Sequence, residues 1–97
     1  MGYFVKEVLR YDCPAITNQN QMAFEDVDLG DVVIKKGTDI RYNVFGVHYN
    51  KKQWIRPHEF LPERFDPTSN LFKRPDGGKR SKFAYIPFTF GNRACPG

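Results

Sequence analysis

The sequence predicts an α+β fold: one N-terminal helix, a few short β-strands, and a long irregular proline-rich course. Three observations predict it. Apolar residues recur at helical spacing only near the start, and β-branched and aromatic residues cluster between turn signals in the middle. After Trp54, Pro57, Pro62, Pro67, Pro75 and Pro87 interrupt any regular element. The 97 residues allow one domain at most, and a chain of this size buries only about 60 to 65% of the surface its unfolded form exposes. Aromatics make up 15% of it, nine of them Phe, a load that demands more apolar partner surface than so short a chain supplies.

Taken in order, residues 3–11 read as an amphipathic helix in which Phe4, Val5, Val8 and Leu9 are apolar and Glu7 lies one turn before Arg10. Cys13-Pro14 ends it, because the residue before a proline is pushed out of the helical region. From Met22 to Tyr49, turn signals at Leu29-Gly30-Asp31 and Lys35-Lys36-Gly37-Thr38 separate short apolar runs. Val32, Val33, Ile34, Ile40, Tyr42, Val44, Phe45 and Val47 then predict two or three short hairpin-connected strands. Lys51–Ile55 predicts a brief helical turn. The remainder is a structureless stretch of the kind a compact domain rarely carries unless it is a functional loop held by something else. Asp76-Gly77-Gly78 is its most flexible point.

Composition narrows the class. Two cysteines, Cys13 and Cys95, are too few for a secreted disulfide scaffold, so a reducing compartment fits better. No run of about 18 apolar residues and no basic-then-apolar leader is present. The net charge of +4 is uneven: Lys73, Arg74, Lys79, Arg80 and Lys82 face only Asp76 within the same ten residues, which implies a local basic patch. A zinc site built from His48, His58, Cys13 and Cys95 matches no ligand spacing.

The last ten residues, Phe88-Thr89-Phe90-Gly91-Asn92-Arg93-Ala94-Cys95-Pro96-Gly97, carry the chemistry. Gly91 and Gly97 let the backbone approach a flat ring closely, and Arg93 supplies a fixed positive fork for an anion. Cys95 is the candidate metal ligand.

This F-x-x-G-x-R-x-C-x-G spacing resembles the haem-binding signature of the cytochrome P-450 family. Glu7-Val8-Leu9-Arg10 is similar to that family's E-x-x-R helix motif, and Pro62-Glu63-Arg64-Phe65 to its P-E-R-F motif. Lys36-Gly37-Thr38, His48, Trp54, Pro57 and Phe60 fall between them at the usual intervals, so the resemblance covers essentially residues 1–97. It implies a partial domain, incomplete at both ends, from the C-terminal part of a mainly-α fold.

The resemblance implies haem b as cofactor, with Cys95 as axial ligand of its iron. Arg93 would pair with a haem propionate, Phe88 would pack beside the sulfur, and Gly91 would allow close approach. A cysteine thiolate on haem iron favours O–O cleavage, so the parent is expected to be a monooxygenase acting on a small organic substrate. Glu7, Arg10 and Arg64 would form a buried network pinning the proline-rich course to the helix. Ala15, Ile16 and Thr17 are candidate pocket-lining residues or a plain surface connector. His48 is expected at a strand end near the haem edge. Where relatives often carry a propionate-contacting basic residue, this chain has Gln21.

The basic loop Lys73, Arg74, Lys79, Arg80 and Lys82 would dock an electron-donor protein, either an NADPH-dependent reductase or a ferredoxin. An endoplasmic-reticulum membrane is the expected location if the parent is eukaryotic. The oxygen-activating helix of the family has no counterpart in this sequence, so this chain alone is not expected to turn over. A haem-thiolate isomerase or lyase needing no redox partner is an open alternative, as is a truncated product that never binds haem. A small basic nucleic-acid-binding module is a further alternative, for which no nucleic-acid motif is present.

Overall fold

The computed structural model describes residues 2–14, 21–89 and 95. Helix α1 spans Tyr3–Tyr11, as its apolar spacing predicts. Asp12 closes it, its N–H donating to the Val8 carbonyl at 2.8 Å. Its enclosed face is the charged one: Glu7 and Arg10 are fully buried, while Tyr3, Phe4, Val5 and Val8 are exposed, Phe4 by 64%. That inversion requires an unusually complete set of partners for the two charges.

Four two-residue strands follow among the described residues, as two nested antiparallel pairs. The outer pair joins β1 (Gln21–Met22) to β4 (Asp39–Ile40), with Gln21 opposite Ile40. The inner hairpin joins β2 (Val27–Asp28) to β3 (Val33–Ile34), with Val27 opposite Ile34. Both turn signals act as read. Gly37 sits at φ +89° in the turn closed by the Thr38 N–H on the Lys35 carbonyl at 3.1 Å, a left-handed conformation that side chains rarely adopt.

The strand expectation fails over Val44, Phe45 and Val47, which form helix α2 (Val44–His48). His48 is therefore the last residue of a helix and not a strand end. Asn43 decides the matter locally: its side-chain oxygen accepts the Gly46 N–H at 2.9 Å, an N-cap bond. Val44 and His48, one turn apart, then share the buried face. A five-residue helix is too short for the spacing of its apolar residues to outweigh their β-propensity.

The proline-rich course contains isolated turns. Gln53 and Trp54 donate to the Asn50 carbonyl at 3.0 Å, giving the brief helical turn expected over Lys51–Ile55. Single 3-10 turns occupy Pro62–Phe65, Asn70–Phe72 and Lys82–Ala84. The small apolar core holds Ala23, Val44, Trp54, Ala84 and Ile86. Helix α1 lies against the Pro62–Phe65 turn, and α2 against Lys82–Ala84. No helix among the described residues is long and apolar enough to cross a membrane.

Candidate functional site

The site is built on three charges taken out of water. Glu7, Arg10 and Arg64 are each fully buried. Arg10 forks onto Glu7, Nε donating to Oε2 and Nη2 to Oε1, both at 2.8 Å. Arg64 comes from 57 residues further along and donates from Nε to Glu7 Oε1 at 3.0 Å. The Leu61 N–H adds a bond to the same oxygen at 2.9 Å. One carboxylate thus satisfies two guanidinium groups and a backbone amide.

The remaining donors of both arginines go to main-chain carbonyls. Arg10 Nη1 donates to His48 and Pro57, both at 2.9 Å, and Nη2 to Glu59 at 3.2 Å, so every N–H of this guanidinium is used. Arg64 donates to Ile55, to Arg56 and, at 2.8 Å, to Glu59. Residues 55–59 have no regular ladder of their own, and these two side chains supply the donors that a strand partner would otherwise provide. Burial, followed by the neighbouring Arg10 charge, lowers the Arg64 pKa, and Glu7 opposes that shift.

A second layer surrounds Trp54, which is completely buried and donates from its indole N–H to the Val47 carbonyl at 3.3 Å. The Arg80 guanidinium lies over its ring at 3.9 Å from the centroid, with Arg10 at 5.3 Å. Arg80 also donates to the Gln53 carbonyl at 3.1 Å and the Leu71 carbonyl at 2.9 Å. Burial pulls its pKa down to about 10. Arg80 is therefore a structural arginine. Arg74 pairs with Asp76, with Nη2 to Oδ2 at 3.0 Å, while Lys73, Lys79 and Lys82 are exposed. A recess of about 240 Å³ opens between Phe72, Lys79, Arg80, Ser81, Lys82 and Tyr85.

His48 links this frame to the chain that leads toward Cys95. Its carbonyl accepts from Arg10, and its imidazole Nε2 accepts the Ile86 N–H at 2.9 Å. Tyr85 stacks on the ring at 5.6 Å. Desolvation first, and then the nearby Arg10 charge, push the His48 pKa down to about 4, so the imidazole is neutral at pH 7. Burial likewise raises the Tyr85 pKa to about 12. Beyond Ile86 the chain turns at Thr89, held at φ +62°, an uncomfortable conformation for a β-branched residue.

Cys95 is exposed and free, and its N–H donates to the Phe88 carbonyl at 2.9 Å. Phe88 is itself at the surface. Gly91 and Arg93, and the loop residues Ala15, Ile16 and Thr17, lie outside the described residues. Gln21 accepts at 3.4 Å from the Tyr42 hydroxyl in β1. His58 is exposed beside Tyr49, their rings 5.1 Å apart, and no group of three or more His, Cys, Asp or Glu side chains that could hold a metal ion occurs among the described residues. The Trp54–Arg80 contact and the His48–Ile86 bond escape sequence reasoning, since neither pair has a local spacing that announces it.

A mixed helix-and-strand frame pinned by a buried Glu-Arg-Arg cluster thus leads to an exposed, free cysteine, and the class of protein this belongs to is given by its relatives. The sequence model of the Cytochrome P450 family matches residues 2–97, and the chain belongs to that family of haem-containing, iron-binding oxidoreductases. It is 38% identical to a probable cytochrome P450 4p2 of Drosophila melanogaster over all of this chain and 17% of the relative. It is 37% identical to the steroid 17-alpha-hydroxylase/17,20 lyase of Felis catus, over 96% of this chain and 17% of the relative. Among solved structures, a retinoic acid-bound cyanobacterial CYP120A1 superposes with a TM-score of 0.78 at 27% identity, over 96% of this chain and 20% of that one. A zebrafish cytochrome P450 with progesterone gives 0.72 at 28% identity, over 94% and 18% respectively. The chain thus spans about a sixth of the length of the curated relatives it matches.

Proposed function

We propose that this chain is the haem-binding part of a longer haem-thiolate monooxygenase, one that inserts an oxygen atom from O2 into a small organic substrate. Cys95 would hold the haem iron through its sulfur. The observation that carries this reading is continuity: hydrogen bonds run from the buried Glu7–Arg10–Arg64 cluster through His48 to Ile86, and two residues further along the chain the Phe88 carbonyl accepts the Cys95 N–H. The residues present fit haem. Cys95 is free and open to a ligand, and its backbone is tied to that of Phe88, whose ring would supply an apolar neighbour to the bound group. Haem, when bound, supplies the iron centre at which oxygen is activated. The protein's own share is to hold the sulfur and its surroundings in place.

The exposed apolar residues of α1, with Phe24 at 89% exposure, support the incompleteness of the domain at both ends, since they are surface for further chain to cover. Gly91 and Arg93 complete the proposed cofactor contacts. An electron-donor protein, a reductase or a ferredoxin, is the proposed partner of the exposed lysines in the 73–82 loop.

The test is Cys95→Ser in the complete protein. The thiolate-type Soret band of the reduced carbon monoxide complex is expected to vanish, and its survival would remove Cys95 as ligand. Turnover that requires electrons from NADH or NADPH identifies the monooxygenase; turnover with no external reductant identifies an isomerase or lyase.

A further inference from the structure

Among the described residues, one buried side-chain polar atom has no hydrogen-bond partner, His48 Nδ1. The other ring nitrogen, Nε2, accepts the Ile86 N–H at 2.9 Å, which requires that nitrogen to be unprotonated and the ring proton to sit on Nδ1. The two ends of this residue face two different parts of the fold. Its carbonyl is bound by Arg10, and its imidazole holds the backbone 38 residues away, at the start of the run that turns through Thr89 to Cys95. We infer that His48 is a positioning residue whose neutral imidazole latches the cysteine-bearing segment to the buried charge cluster, and that acid opens the latch.

The chemistry is one-directional. A protonated imidazole carries N–H on both nitrogens, so the Ile86 amide would meet a donor where it now meets an acceptor. The groups facing the ring make protonation harder still. The Arg10 guanidinium repels a second positive charge, and the Glu7 carboxylate that would offset it is already engaged by Arg10 and Arg64. The Tyr85 ring stacks on the imidazole, and burial keeps its phenol in the neutral form. Asp12 and Cys13 line the cavity of about 290 Å³ that His48 shares with Arg10 and Tyr49. Because burial lowers the folded pKa from 6.5 to about 4, the latch contributes its full stabilisation above about pH 6.5 and loses it as pH falls toward 4.

The consequence for the cofactor rests on Cys95 being the ligand, whereas the latch itself does not, and the experiment separates them. In the complete haem-loaded protein, His48→Gln keeps an acceptor near the Nε2 position and cannot charge, and His48→Phe keeps the stacked ring and cannot accept. Hydrogen exchange of the Ile86 amide is expected to quicken about ten-fold in His48→Phe and to stay near wild type in His48→Gln. Between pH 6.5 and 4 the wild type is expected to lose thermal stability and its thiolate-type Soret band more steeply than His48→Gln, whose carboxylates titrate identically. If His48→Phe fails to fold, the comparison of wild type with His48→Gln decides alone. Equal Ile86 exchange in wild type and a folded His48→Phe, or the same acid profile in wild type and His48→Gln, overturns the latch. A Cys95→Ser protein that keeps its Soret band overturns the ligand reading and leaves the exchange result standing.

Discussion

At the scale of single residues, the fold is governed by where buried charges find partners. Burying one carboxylate with two guanidinium groups leaves a net positive charge in a poorly solvated site, tolerable only because nearly every donor has a carbonyl or carboxylate to meet. Removing one member is therefore worse than never having had the cluster. Arg64→Ala would leave the carbonyls of Ile55 and Arg56 without their donor, that of Glu59 with Arg10 alone, and Glu7 with a single arginine, a change that costs about 3 to 5 kcal/mol. Set against a domain stability of about 5 to 15 kcal/mol, that is a large fraction. The complete protein carrying Arg64→Ala is expected to lose haem incorporation, read as the ratio of haem to protein after purification. Full haem content in that variant would contradict the structural role given to Arg64.

At the scale of elements, short pieces depend on caps more than on propensity. Helix α2 has a single turn to its name, and the Asn43 bond to Gly46 supplies its N-terminus. Asn43→Ala is expected to cost about 0.5 to 2 kcal/mol, seen as a lower urea midpoint, whereas Asn43→Asp is expected to change it little. Gly46→Ala should act in the same direction, since an added Cβ would lie 2.7 Å from the Asn43 amide nitrogen and displace the cap. An unchanged midpoint in Asn43→Ala would mean that packing of Val44 and His48 holds the helix without it. The elements also mark what a sequence discloses. Helix α1 was legible to the residue, because nine residues of regular spacing end just ahead of Cys13-Pro14, and so were the Gly30 and Gly37 turns, because only glycine enters their conformation cheaply. Helix α2 was not, because Val44, Phe45 and Val47 favour strands and the opposing signal is a single asparagine. Nor was the burial of Glu7 and Arg10 readable from α1 itself, whose local pattern describes an exposed ion pair. Only the later P-E-R-F run, through family resemblance, tied Arg64 to them.

At the scale of the whole molecule, charge is sorted into two populations that composition does not distinguish. Five basic residues crowd positions 73–82, yet Arg80 is turned inward over Trp54 and Arg74 is paired with Asp76. Lys73, Lys79 and Lys82 remain exposed, so the long-range positive field of this loop resides with them. Mutating Arg80 would confound docking with folding, because its removal takes a cation from the Trp54 face and donors from Gln53 and Leu71. The decisive variant is the triple lysine reversal K73E, K79E and K82E in the complete protein. An acidic electron donor that docks here should then associate more slowly by about ten-fold or more at low ionic strength, because complementary charge acts mainly on the encounter rate. The difference should shrink as salt is raised and the Debye length falls below about 10 Å. Haem content and the Soret band should be unchanged, since none of the three lysines belongs to the buried network. Electron transfer that is equally fast in the reversed protein at low salt would move the docking surface elsewhere on the parent enzyme.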